Sequence, residues 1–107
     1  TAFTEAVIAI IRAIPPGKVM TYGDIAREAG SPRGARQVVR ILHAMSGKYG
    51  LPWHRVINAR GAIALPDDES RYTQRLLLEN EGVAVSDDGT VDLAEYRLQE
   101  GRTGFFV

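Results

Sequence analysis

The chain contains no cysteine. No thiolate can serve as a nucleophile, no disulfide can form, and no zinc or iron–sulfur site can rest on sulfur ligands. Histidine is scarce as well. His43 and His54 have no acidic neighbours in sequence, a poor ligand set, so neither a metal nor a cofactor is expected. No apolar run approaches the ~18–20 residues a membrane-spanning helix needs, and no charged segment precedes a hydrophobic one in the manner of a signal peptide. The expectation is a cytoplasmic protein without a membrane partner. The chain opens on Thr1, as expected of a processed or trimmed chain. Internal repeats, linkers and low-complexity tracts are absent. What remains is 107 residues, 45% hydrophobic and 24% charged. That composition excludes disorder, collagen-like repeats and a coiled coil. It suits one globular domain over residues 1–107, expected to be a monomer, burying roughly two thirds of its unfolded surface.

The net charge is zero, but the charges are segregated. Residues 1–60 hold nine Lys/Arg against Glu5, Asp24 and Glu28, whereas residues 61–107 hold four Arg against ten acids. A basic first half points to a polyanion partner, although charge scatter alone can produce such a split. Eleven of the 13 basic residues are arginine, whose planar fork suits phosphate and base contacts.

Periodicity predicts a mainly α fold with small β elements, a winged helix-turn-helix-like domain with β-hairpins. Phe3, Val7, Ile10, Ile11 and Ile14 recur at helical spacing up to Pro15-Pro16-Gly17. Thr21 and Asp24 form a capping-box pattern that opens a short helix ending at Gly30. Ser31-Pro32 reads as a second start, with proline at the first helical position of a helix running to about Ser46-Gly47. Two helices around a Gly-Ser-Pro corner read as a helix-turn-helix. Residues 51–57 and 62–65, joined by Asn58-Ala59-Arg60-Gly61, are expected to pair as a wing hairpin. A fourth helix is expected over Tyr72–Asn80. A second hairpin is expected to join Val83-Ala84-Val85 to Val91-Asp92-Leu93.

The third helix carries a stripe of cations. At about 100° per residue, Arg36, Arg40 and His43 fall within about 80° of Arg33, while Val38, Val39, Ile41, Leu42 and Met45 occupy the other arc. No carboxylate lies between Glu28 and Asp67, so the stripe has no partners nearby in sequence. A solvated charged face has the same look, but unpaired arginines on the second helix of a helix-turn-helix favour DNA. Gly34 and Ala35 leave the first turn thin around Arg36, permitting close approach to a groove. Gly34 costs about 1 kcal/mol against alanine in a helix, which requires a compensating reason.

Three blocks then stand together: Gly17-Lys18-Val19-Met20-Thr21-Tyr22-Gly23-Asp24-Ile25-Ala26, Ala35-Arg36-Gln37-Val38, and Pro52-Trp53-His54-Arg55-Val56-Ile57. In order and spacing they resemble the C-terminal DNA-binding domain of the O6-alkylguanine-DNA alkyltransferase family, over nearly the whole chain. Those enzymes carry Pro-Cys-His-Arg-Val, and the thiolate takes the alkyl group from the damaged base. Here Trp53 occupies the cysteine position. An indole N–H is a hydrogen-bond donor and lacks a thiolate's nucleophilicity, so alkyl transfer is not expected. The pattern is that of alkyltransferase-like proteins, which bind alkylated DNA and pass the lesion to nucleotide excision repair.

The resemblance implies roles residue by residue. Tyr22 would press on the backbone and rotate the damaged nucleotide outward, and Arg36 would fill the gap in the base stack. The helix after Pro32 would lie in the minor groove, with Ser31, Arg33, Gly34, Ala35 and Arg40 completing the DNA contacts. Tyr22, Pro52, Trp53, Val56 and Ile63 would line the lesion pocket, whose wall would extend through Ile63–Asp68. His54 and Glu81 match residues that activate the cysteine in the enzymes and are expected to keep only a structural hydrogen-bonding role. The implied partners are double-stranded DNA containing O6-alkylguanine and nucleotide excision repair proteins. The chain departs from the family pattern at Val39 and Arg40, where the enzymes are small, at Met45, the hinge asparagine position, and at Pro66–Arg71. Its three acids, Asp67, Asp68 and Glu69, are expected to point away from phosphates or to pair with arginines.

Two other readings use fewer of these residues. A winged-helix regulator reading an operator through the major groove needs only the helix-turn-helix and the stripe. A protein-interaction module would use the acidic half, which could equally dock repair proteins while the basic half holds DNA.

Overall fold

The computed structural model describes residues 1–99, so Glu100 and Arg102 of the acidic half lie outside the described residues. Helix α1 spans Ala2–Arg12, with Thr1 as its cap accepting from the Thr4 N–H. Val7 and Ile11, one turn apart, are fully buried. Beyond Arg12 the consecutive prolines 15 and 16 offer no N–H to continue the ladder. Strand β1, Met20–Thr21, leads directly into α2, Tyr22–Glu28. The capping box is present: the Thr21 hydroxyl accepts from the Asp24 N–H at 3.0 Å, and the Thr21 N–H donates back to the Asp24 carboxylate at 3.1 Å.

Helix α3 spans Ala35–Tyr49 and ends at Gly50, whose φ of +59° suits glycine. It begins three residues later than Ser31-Pro32 suggested. Pro32 and Arg33 form a turn, closed by Gly34 N–H donating to the Ser31 carbonyl at 2.8 Å. Gly34 therefore caps the helix and does not weaken its interior. A Cβ there would sit 3.0 Å from Phe3 Cζ and 3.1 Å from the Ser31 carbonyl, so close packing supplies the reason for glycine. Only Val38 and Leu42 of α3 are buried. Val39 lies about 100° around the helix from Val38, beyond that narrow stripe, and is 44% exposed. This corrects the expectation that it faces the core.

A 3₁₀ turn, Trp53–Arg55, precedes strand β2, Val56–Ile57, which pairs in parallel with β1, Met20 opposite Val56 and Thr21 opposite Ile57. The wing hairpin between 51–57 and 62–65 does not form. The Asn58 side chain accepts from the N–H groups of Arg60 and Ala62, both at 2.9 Å, and turns the chain away. Residues 61–63 pair instead with 89–91 through Val91 N–H to Gly61 carbonyl and Ile63 N–H to Gly89 carbonyl, each 2.8 Å. Of the second hairpin there remains one antiparallel bridge, Val85 with Val91, around a tight 86–90 turn. Asp92 caps a short helix α5, Leu93–Tyr96, where a strand residue was expected. Helix α4 spans Asp68–Asn80, a turn longer at its start than expected, because Asp67 caps it through the Ser70 N–H.

The small sheet separates two cores. Met20 and Val56 join Val7, Ile11, Ile14, Ile25, Val38, Leu42 and Leu51 on one side. Val19 and Ile57 join Leu78, Val83 and Val91 on the other. Successive strand residues point to opposite faces, so four residues bind the helix-turn-helix to the α4 half.

Candidate nucleic-acid interface

The 3₁₀ turn is held from three sides. Glu81, just past the end of α4, accepts from His54 Nε2 at 2.8 Å, from Arg55 Nη2 at 2.7 Å, and from the Gly17 N–H at 3.2 Å. Arg55 also donates to the Ile14 carbonyl at 2.8 Å, which ties the turn to the end of the first helix. From α4, the buried Gln74 amide donates to the carbonyls of His54 and Val56, both at 3.1 Å. Burial alone would raise the Glu81 carboxyl, but the Arg55, His54 and Gly17 donors outweigh it and hold the pKa at about 2. These bonds make a platform under the turn. His54 and Glu81 do form the structural hydrogen bond expected of them. Arg55 and Gln74, which complete the platform, were not singled out from the sequence.

Trp53 stands on this platform, half-buried, packed against the first core, with its ring edge-on to His54 at 86° and 6.3 Å. Pro52 precedes it, also half-buried, and its carbonyl accepts from the Arg55 N–H at 3.0 Å. Tyr22 packs on the same core from the first position of α2, and burial raises its hydroxyl pKa. Val56 is 1% exposed and belongs to the core behind Trp53. Ile63 packs on the second core. It lines a separate cleft with Arg71, Tyr72, Arg75, Asp87, Asp88 and Gly89.

Arg36, Arg40 and His43 are exposed along one face of α3, with Val39 beside them and Arg33 in the preceding turn. No ion pair or hydrogen bond joins Arg33, Arg36 or Arg40 to another described residue. By contrast Arg71, at the α4 start, bonds to Asp68 and to the Leu65 carbonyl. Arg75 reaches the carbonyls of Val85 and Ser86. Of the three acids, Asp68 pairs with Arg71 as expected, whereas Asp67 caps α4 through the Ser70 N–H. Ser31 and Ala35 are half-buried and Gly34 is buried at the corner below Arg36. The arrangement offers unpaired guanidiniums on a helix and two half-buried aromatic rings on the same core. It offers no nucleophilic sulfur.

The family model for the 6-O-methylguanine DNA methyltransferase DNA-binding domain matches residues 2–83. An Escherichia coli protein named DNA base-flipping protein is 50% identical over 97 residues, 90% of this chain and 74% of that protein. Alkyltransferase-like protein 1 of Schizosaccharomyces pombe is 44% identical over 86 residues, 79% of this chain and 77% of that protein. The crystal structure of S. pombe Atl1 in complex with damaged DNA containing O6-carboxymethylguanine superposes with a TM-score of 0.78 at 39% identity, covering 91% of this chain and 94% of that one.

Proposed function

The chain belongs to the family of the 6-O-methylguanine DNA methyltransferase DNA-binding domain, and we propose that within it this protein is a lesion sensor rather than a repair enzyme. It binds O6-alkylguanine in duplex DNA, flips the damaged nucleotide into the space beside Trp53, leaves the alkyl group in place and hands the complex to nucleotide excision repair. The observation that carries this reading is Trp53 on an intact platform. His54, Arg55, Gln74 and Glu81 hold the turn, but at its first position stands an indole instead of a thiol. Alkyl transfer requires attack on the alkyl carbon, and the indole nitrogen lacks the free nucleophilic pair this demands.

Binding and extrusion draw on the exposed face of α3 and on Tyr22. Arg33 and Arg40 contact phosphates, while α3 lies in the minor groove with Val39 against the groove wall. Arg36 enters the base stack as Tyr22 presses the nucleotide outward. Extrusion costs a few kcal/mol, and less at a weakened pair. O6-alkylation removes the guanine N1 proton and so weakens pairing with cytosine. Trp53 then offers an apolar face to the alkyl group, backed by Pro52 and by Val56 in the core. The protein acts as a cytoplasmic, nucleoid or nuclear monomer according to its host.

Competition between matched duplexes, one with O6-methylguanine and one with guanine, tests this. Preference for the modified duplex is expected. Equal affinity for both would remove the reading, and a strong consensus selected from undamaged DNA would establish a sequence-specific regulator using the helix-turn-helix in its place.

A further inference from the structure

None of the roles above uses Arg97, yet its side chain makes a contact that reaches across most of the described chain. Its Nε lies 2.9 Å from Asp24 Oδ2 and its Nη2 2.6 Å from Oδ1, a two-pronged clamp across 73 positions. Asp24 is 3% exposed. The same Oδ2 accepts the Thr21 N–H at 3.1 Å, and Arg27 donates to Oδ1 at 2.8 Å. One carboxylate therefore joins the end of β1, the first turn of α2 and the segment after α5. That segment is itself anchored: Val19 N–H donates to the Tyr96 carbonyl at 2.9 Å, and Leu98 N–H donates to the Val19 carbonyl at 2.8 Å. Tyr22 sits between Thr21 and Asp24, so both residues of the cap bracket it.

We infer that Arg97 is a positioning residue for Tyr22, locking the Asp24 carboxylate and with it the first turn of α2, so that the phenol meets the duplex already oriented for nucleotide extrusion. This rests on the flipping role proposed above. Bidentate guanidinium–carboxylate pairs fix geometry as well as charge, and a lysine supplies only a point charge. The Arg97 side chain is 40% exposed but that of Asp24 only 4%, so its loss carries some stability cost, limited because the Thr21 N–H and Arg27 still face the carboxylate. Without it, Thr21 still caps α2 and Arg27 still faces Asp24, but the turn loses its tether to the segment after α5. Affinity for undamaged duplex, carried by α3, is unaffected, and the extrusion step is impaired.

The test uses the whole chain with Arg97→Ala and Arg97→Lys. The probe is a duplex with O6-methylguanine next to 2-aminopurine, whose fluorescence rises when its neighbour leaves the stack. The wild type is expected to prefer the modified duplex and to raise the fluorescence. Arg97→Ala is expected to lose about fivefold in preference and most of the rise, with undamaged-duplex affinity within about twofold, and Arg97→Lys to fall between. Unaltered preference and fluorescence in Arg97→Ala would overturn the positioning role alone. Equal loss of affinity for both duplexes would overturn it too, by showing a merely structural part. A wild type with neither preference nor fluorescence rise would overturn the flipping reading itself, and this inference with it.

Discussion

Glu81→Gln isolates the electrostatics of the platform under Trp53. In the folded chain Glu81 and Arg55 have side chains 16% and 15% exposed, and with glutamine at 81 Arg55 is left with neutral acceptors alone, the Ile14 carbonyl and the amide oxygen. Removing one partner of a fully buried pair costs about 3–5 kcal/mol; with some solvent access the cost here is about 2–4 kcal/mol at neutral pH. A domain of this size has about 5–15 kcal/mol in hand, so the variant stays folded. The pH dependence supplies the sharper test. The Glu81 carboxyl falls from 4.5 to about 2 on folding. Because the folded value is the lower one, the stabilisation is fully present above pH 4.5 and is lost as the pH falls towards 2. The full shift, reduced for screening, corresponds to about 2–3 kcal/mol. Asp24, Asp67 and Asp88 also titrate low, so both proteins weaken in acid. The readout is therefore the gap between them. Urea unfolding followed by the fluorescence of the single tryptophan, Trp53, measures that gap from pH 7 downward. It is expected to be wide at pH 7 and to narrow steadily below pH 4.5. A variant as stable as the wild type at pH 7, or a gap that ignores pH, would refute the reasoning.

Other outcomes follow from the same geometry. Gly61→Ala places a Cβ 2.5 Å from the Val91 carbonyl at a φ of +76°, and a loss of more than about 2 kcal/mol is expected in the same urea assay. A near-neutral result would mean the 61–91 pairing is dispensable. Arg36→Ala should weaken binding to the modified duplex by about 1–3 kcal/mol, the scale of stacking and base contacts. An unchanged Kd would exclude it from the stack. If α3 and its flanks make some four phosphate contacts, log Kd against log salt has a slope of magnitude about 3.6, and Arg40→Ala lowers it by about 0.9. A salt-independent Kd would point to a protein-interaction module. Tyr22→Ala should lower lesion preference more than general duplex affinity, and a uniform loss would contradict its role in flipping.

What could be read from the sequence was local. The Thr21–Asp24 box, the diproline stop, Asn58 at its turn and the exposed cations of α3 all depend on residues a few positions apart. The wing was misread because β1 and β2 are two residues each, too short for alternation to show, and their parallel pairing joins distant segments. The second core depends on the 61–63 and 89–91 pairing, which carries no periodic signal either. Val39 was misplaced because the hydrophobic arc on α3 is wider than the stripe that its neighbours cover. At the site, Trp53, His54 and Glu81 were found through resemblance. Arg55 and Gln74 were missed, since a guanidinium bridging Glu81 to Ile14 and an amide spanning two carbonyls are tertiary facts. The Arg97 clamp on Asp24 spans most of the chain, and only the folded structure brings the two together.

Trp53 fluorescence and strand mass, followed on one sample, bear most directly on the claim that recognition here proceeds without chemistry. Mixing the protein with a duplex bearing O6-methylguanine is expected to change the emission of Trp53 as the base arrives beside it. After long incubation the recovered strand should retain its methyl group, and the protein should keep its mass. A strand returned as plain guanine, or an indole that fails to register the modified base, would contradict the account.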